Sequence, residues 1–234
     1  NAPSSASLNV LISADKGGSW TGPFRIADAL AVGARDPDTG APIRDGANLP
    51  QVAVAPNGHL WVAWQDARFS GGAHDGIALA RSSDGGQTWS APLQVNSAPS
   101  AQAFTPSVHV TANGTIGVTY YDLRSNTADA STLPTELILA RSLDGIGWTE
   151  HRVSPPFDLA TAPVARGYFL GDYQGLASAD NVFVPVYVRT NSGDTTNRTD
   201  VFAVATRSLA APTSSAIAAH ATRAAPVAFE PDAE

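Results

Sequence analysis

One turn that recurs along this chain constrains its fold more than any other feature. Ser82-Ser83-Asp84-Gly85-Gly86-Gln87-Thr88-Trp89 stands between the apolar run 77–80 and the stretch 92–95, so it reads as a tight turn joining two antiparallel strands. Asp84 is short enough to accept hydrogen bonds from main-chain N–H groups a few residues on. Gly85 and Gly86 can take positive φ, and Trp89 places a large apolar plate at the root of the hairpin. Ser13-Ala14-Asp15-Lys16-Gly17-Gly18-Ser19-Trp20 repeats the spacing, and Ser142-Leu143-Asp144-Gly145-Ile146-Gly147-Trp148 repeats it one residue shorter. A fourth copy, Thr206-Arg207-Ser208-Leu209-Ala210, has lost the aspartate. Successive serines are 69, 60 and 66 residues apart, a period that marks repeated supersecondary units.

The segments between these turns follow one order. Residues 51–55, 60–65, 77–81 and 92–95 make four predicted strands, with Asn57-Gly58 a hairpin signal between the first two. Residues 107–111, 116–121, 136–141 and 151–154 repeat that order around Asn113-Gly114, which superposes Asp66-Ala67-Arg68 on Asp122-Leu123-Arg124. Two strands, 8–12 and 23–27, come before these units, and three, 173–178, 182–189 and 201–207, come after, with Arg189 where Asp66 and Asp122 stand. Residues 28–48 carry six charged residues among Gly and Pro and read as a long loop. Residues 209–234, rich in Ala, Pro and Ser, read as an irregular tail or a segment docked on the body.

The octet around Asp84 resembles the Asp-box of the bacterial neuraminidase repeat, found in sialidases and related β-propellers, and the likeness covers residues 5–208. It implies an all-β fold, a β-propeller of four-stranded antiparallel blades: a partial blade at 5–27, blades at 49–96 and 105–154, a partial blade at 170–208, and a tail at 209–234. A sialidase-like ring has six blades, and six repeats of this length need roughly 390 residues. The expectation is therefore that a second chain, a missing N-terminal half or a symmetry mate completes the propeller, with the tail a less favoured donor of strands. In that family the Asp-box is a structural hairpin away from the catalytic centre. Asp15, Trp20, Asp84, Trp89, Asp144 and Trp148 are thereby assigned to structure, the tryptophans as packing residues.

In a four-stranded meander the Asn-Gly turns and Asp-boxes lie at one end. The loops 27–49, 66–76, 96–105, 122–135, 154–172 and 189–200 share the other, where sites usually form. The resemblance implies an arginine cluster for a substrate carboxylate, a tyrosine nucleophile activated by a glutamate, and an aspartic acid near the leaving group. The matching catalytic candidates are Asp172, Tyr168 and Glu136. Substrate-binding candidates are Arg68, Arg124, Arg166, Arg189, Asp66, Asp122, Tyr121 and Tyr173, with Asp66 and Asp122 also considered as the acid and Tyr121 and Tyr173 as the nucleophile. Glu150 is read as lying beside an Asp-box on the wrong face. Phe24-Arg25-Ile26-Ala27 resembles the motif that bears the first catalytic arginine of sialidases, but its repeat position makes Arg25 a surface residue of an outer strand. Against these roles stands a structural reading in which Asp66/Arg68 and Asp122/Arg124 are ion pairs that hold loops in place. Trp61 and Trp64 read as strand core, with a place in a sugar platform as the alternative for either.

Composition excludes other classes. A net charge of −7 with a single lysine argues against nucleic acid or an anionic membrane surface as partner. No apolar run approaches the roughly 20 residues that span a bilayer. The absence of cysteine removes disulfides, thiolate nucleophiles and thiolate metal sites, and fits a bacterial secreted or cell-surface protein. The histidines have no metal-ligand spacing, and no cofactor is indicated. Asp36, Asp38 and Asp45 offer carboxylates for calcium, but their spacing fits no compact loop and reads as a solvated acidic stretch. The function expected is exo-glycosidase-type hydrolysis of a terminal sialic acid or related sugar on the loop face. The alternative is a non-catalytic propeller for glycan or protein binding and assembly, favoured by the lack of an evident base and first arginine.

Overall fold

The computed structural model describes residues 6–206 and 222–223, and among these there is no α-helix. Ser7–Ile12 pairs with Thr21–Asp28 as a two-stranded sheet, the first blade. The second blade runs Gln51–Val54, Leu60–Asp66, Gly76–Ser82, Leu93–Gln94, each strand antiparallel to the next. The third runs Ala103–Val110, Ile116–Asp122, Pro134–Ser142, Thr149–Arg152 in the same way. Gly175–Ala179, Val182–Thr190 and Thr199–Ala203 form the last blade, and Thr222–Arg223 pairs with Phe202 and Ala203 as its fourth strand. The last unit therefore has four strands where three were expected, the outermost drawn from the tail. The decayed fourth turn lies, beyond Thr206, outside the described residues.

The third blade is apolar on both faces because it is sandwiched between neighbours, so its first three strands are buried almost end to end. Alternate residues serve alternate neighbours. Val62 and Trp64 pack with Ala27, Leu8 and Ile26 of the first blade, whereas Trp61 and Ala63 pack with Val108, Val110, Ile116 and Tyr120 of the third. Burying side chains of this size contributes about 1.5–3 kcal/mol each. A third cluster joins Tyr121 and Leu137 to Tyr187 and Phe202 of the last blade and to Phe157 and Leu170 in the loops.

The repeated turns hold themselves together locally. Ser82 donates to Asp84 at 2.8 Å, while Asp84 accepts from the Thr88 N–H at 3.0 Å and the Thr88 hydroxyl at 2.6 Å. The Thr88 and Ser82 hydrogen bonds hold the Asp84 carboxyl down at about 2. In the shortened third turn Asp144 accepts instead from the N–H groups of Ile146 and Gly147, at 2.8 and 3.0 Å. Gly145 there has φ +77°, and a Cβ on it would sit 2.5 Å from the Trp61 ring, so glycine is required both for conformation and for close packing. Trp89 and Trp148 pack against the core, but Trp20 is 60% exposed and departs from the packing role expected of it.

Register separates the two ends of each blade. Asp66 pairs with Gly76 at one end of the second blade, and Ser82, leading into Asp84, pairs with Leu60 at the other. Asp122 and Ser142 are separated in the same way in the third blade. The 28–48 segment is largely irregular, as expected, but Ile43–Arg44 forms a short parallel ladder with Tyr168–Phe169. Asp36 and Asp45 are buried, which corrects the reading of a solvated acidic loop.

Candidate functional site

At the loop end of the second blade, Asp66 is fully buried and receives Arg68 through Nε and Nη2, both at 2.8 Å. It also accepts from Trp64 Nε1 at 2.7 Å, and Arg68 reaches on to the Asp28 carbonyl at 2.6 Å. Burial works against the charge of Asp66, yet these donors carry its carboxyl below the usual range. The equivalent corner of the third blade is built differently. Arg124 donates to Asp122 at 2.8 Å and to Glu150 at 2.6 Å, and Glu150 also accepts from Tyr120 Oη and from the Ser97 N–H. Glu150 sits opposite Ala140 in mid-strand, so its carboxylate joins the loop-face cluster rather than the turn beside it, contrary to the sequence reading. Burial opposes its charge, but Arg124, Ser97 and Tyr120 bring it down to about 2. Burial raises the Asp122 carboxyl despite Arg124, with Glu150 adding to the rise.

Glu136 is fully buried opposite Asp122 and is taken up by Arg152, at 2.5 and 2.7 Å, and by the Ser125 hydroxyl. Tyr121 is buried too. Its hydroxyl donates to the Val188 carbonyl at 2.6 Å and accepts from the Val188 N–H at 3.0 Å, clamping the third blade to the last, and burial pushes the phenol up. Asp172 is half-exposed and bound through both oxygens by Arg44, at 2.8 and 2.7 Å, which holds its carboxyl below the usual range. Arg44 stacks on Phe169, 4.2 Å from the ring centroid, and Tyr168 lies beside it in the same ladder. Tyr173 and Arg166 are exposed, and Arg189 lies over the Phe202 ring at 4.3 Å. Arg25, as expected, sits on an outer strand, half-exposed and paired with Asp28.

The four arginine candidates thus share no common partner, with Arg189 on the Phe202 ring and Arg166 exposed. Arg68 and Arg124 each close on a buried aspartate of their own blade, while Asp172 is joined by Arg44, which sequence reasoning passed over as loop charge. Asp75 was also missed. Fully buried, it accepts the N–H groups of Val32 and Gly33 at 2.9 and 2.8 Å and shares the Gln65 carboxamide with Asp45. Burial raises its carboxyl, and Asp45 adds to the rise. The only signal for it in the sequence is position, one residue before the third strand.

Between the second and third blades the loop face opens into a cleft of about 880 Å³. Arg35, Asp36, His74, Gln102, Arg124 and Asn126 give it polar walls, and most of the remaining lining is small, glycine and alanine, with Val32, Pro37 and Leu123 its larger apolar residues. Gln102 fixes one wall by bonding both the N–H and the carbonyl of Arg35, and Asn126 donates to Asp38 at 2.7 Å. Arg124 Nε and Asn126 Oδ1 have no hydrogen-bond partner. Among the described residues, no group of three or more His, Asp or Glu side chains is placed to hold a metal ion.

No protein-family profile matches the chain, and no curated protein does. Among solved structures it is similar to the α-L-arabinofuranosidase of Fusarium graminearum complexed with arabinobiose, at 16% identity over 89% of this chain and 57% of that one, with a TM-score of 0.49. A Hadza microbial sialidase aligns at 17% identity over 68% of this chain and 34% of that one, TM-score 0.44. A leech intramolecular trans-sialidase aligns at 17% over 85% and 27%, TM-score 0.41. The chain thus spans between about a quarter and little more than half of these proteins' lengths. By its own strand order, its repeated turns and its face-to-face sheets, the chain is a run of antiparallel blades, four-stranded after the first, of the β-propeller kind.

Proposed function

We propose that this protein recognises glycans outside the cytoplasm through the loop-face cleft between its second and third blades, as a binding propeller rather than a hydrolase. What supports the reading is the cleft itself: guanidinium, carboxylate, imidazole and carboxamide groups converge on one open cavity, a donor and acceptor set suited to sugar hydroxyls. What favours binding over hydrolysis is the fate of the acids. Asp66, Asp122 and Glu136 are fully buried, and each is committed to an arginine. A general acid must instead reach the leaving group with a proton to give. Removal of a terminal sialic acid or related sugar would have to use Asp172 with Tyr168, and Arg44 holds Asp172 ionised.

The test is titration of the full chain with neutral and sialylated oligosaccharides by calorimetry, alongside a fluorogenic sialoside assay. Binding that is lost in Asn126→Ala and weakened in Arg35→Ala, without turnover, is the expected result. Turnover abolished by Asp172→Asn or Tyr168→Phe would replace this reading with the hydrolytic one. A folded chain that binds no member of the panel removes it.

A further inference from the structure

The segment that leaves the first blade at Asp28 is pinned through its main chain. The Ala29 N–H donates to the Ala6 carbonyl at 2.9 Å, the Leu30 N–H to Asp66 at 3.4 Å, and the Leu30 carbonyl accepts from the Ala67 N–H at 3.3 Å. Further on, Asp75 takes the N–H groups of Val32 and Gly33, and Asp45 takes that of Ala34 at 2.5 Å. All three carboxylates are buried. With its amides tied to fixed acceptors, the segment is not free to fold its apolar side chains inward, and Leu30 and Val32 stand 42% and 49% exposed. Beside them lies a second cavity of about 670 Å³, within the range of small-molecule sites and walled in part by Ala29, Leu30, Ala31, Val32 and Ala67. Val32 and Gly72 also line the polar cleft of about 880 Å³, so the two cavities share a wall.

We propose that this second cavity takes a saturated hydrocarbon chain, and that cleft and cavity together recognise a glycoconjugate whose sugar carries such an alkyl or acyl chain. The sugar end rests on the glycan reading of the cleft; the apolar end rests on the cavity's own lining. Its one charged group, Arg68, is spent on Asp66 and on the Asp28 carbonyl. Asn48 is its one other polar side chain, and no aromatic ring lines it. A second sugar ring would find few partners for its hydroxyls and no ring face to pack on, whereas a hydrocarbon chain needs neither. A polypeptide segment fits no better. Its main chain would need hydrogen-bond partners, and from Ala29 to Ala34 every N–H except that of Ala31 is already engaged.

The experiment titrates the full chain by calorimetry with the methyl, butyl and hexyl β-glycosides of glucose and galactose, and with 1-hexanol followed through the methyl signals of Leu30 and Val32 in NMR spectra. Each methylene that enters the cavity is expected to tighten binding up to about 4-fold, so the hexyl glycosides should bind about tenfold or more tighter than the methyl ones. Leu30→Asn makes the wall polar and Ala31→Phe fills the cavity, and either should remove that gain. Asn126→Ala, in the cleft, should weaken all three glycosides alike and keep the gain. Equal affinity for methyl and hexyl glycosides overturns the inference while the glycan reading of the cleft stands, and so does a gain that survives both cavity variants. 1-Hexanol that moves the Leu30 and Val32 signals while no glycoside binds removes the glycan reading and, with it, the joined ligand.

Discussion

Arg68 in the second blade and Arg124 in the third close the same turn, each curling back on the aspartate two residues before it, yet only Arg124 meets a second carboxylate. The backbone of the two corners is the same because the repeat sets it. Their charge is not, because it depends on what the outer strand carries: Thr149–Arg152 brings Glu150, and Leu93–Gln94 brings no acid. Asp66 is consequently held below the usual carboxylate range while Asp122 is raised by burial. A repeated motif thus fixes where an ion pair forms and leaves its electrostatics to the neighbouring strand.

The comparison breaks most directly by removing the aspartates. Asp66→Ala leaves Arg68 without a carboxylate and Trp64 Nε1 without its acceptor, so it is expected to lower stability by about 3–5 kcal/mol. Asp122→Ala, in which Glu150 still holds Arg124, should cost about 1–3 kcal/mol. Equal losses in urea denaturation would show that Glu150 contributes nothing to its corner. Glu150→Gln tests that contribution through pH. The folded-state pKa of about 2 lies below the ordinary 4.5, so the stabilisation is complete above pH 4.5 and is lost as pH falls toward 2. The variant should be less stable at neutral pH and lose less than the parent over that window; parallel acid limbs would refute the assignment. The smallest effect is expected for Arg25→Ala. Its pair with Asp28 is half-exposed, and its loss should change stability by no more than about 0.5 kcal/mol. A larger change would mean that pairing itself, rather than burial, sets the strength of these corners.

Much of the fold was legible in the residues. The strands of the second and third blades fall within a few residues of where the turns placed them, since Asn-Gly and Ser-x-Asp turns are made by hydrogen bonds spanning two to four residues. The ion pairs Asp66/Arg68 and Asp122/Arg124 were legible for the same reason, being two residues apart. Glu150 was not, because position beside a turn says nothing about which way a mid-strand side chain reaches. Nor was Arg44, whose partner Asp172 is 128 residues away.

By itself, then, the sequence determined the unit of construction: four-stranded meanders, their turns, and the end of each sheet at which charged corners lie, all products of short-range hydrogen bonding and two-residue periodicity. Only the tertiary structure decided which carboxylates share an arginine, that Asp45 and Asp75 meet on one buried carboxamide, and that Val52 and Val54 stand open where Val108 and Val110 are covered. Those outcomes depend on which blade faces which. Burial and charge pairing are properties of surfaces brought together from distant parts of the chain, and identical local patterns acquire different environments wherever their neighbours differ.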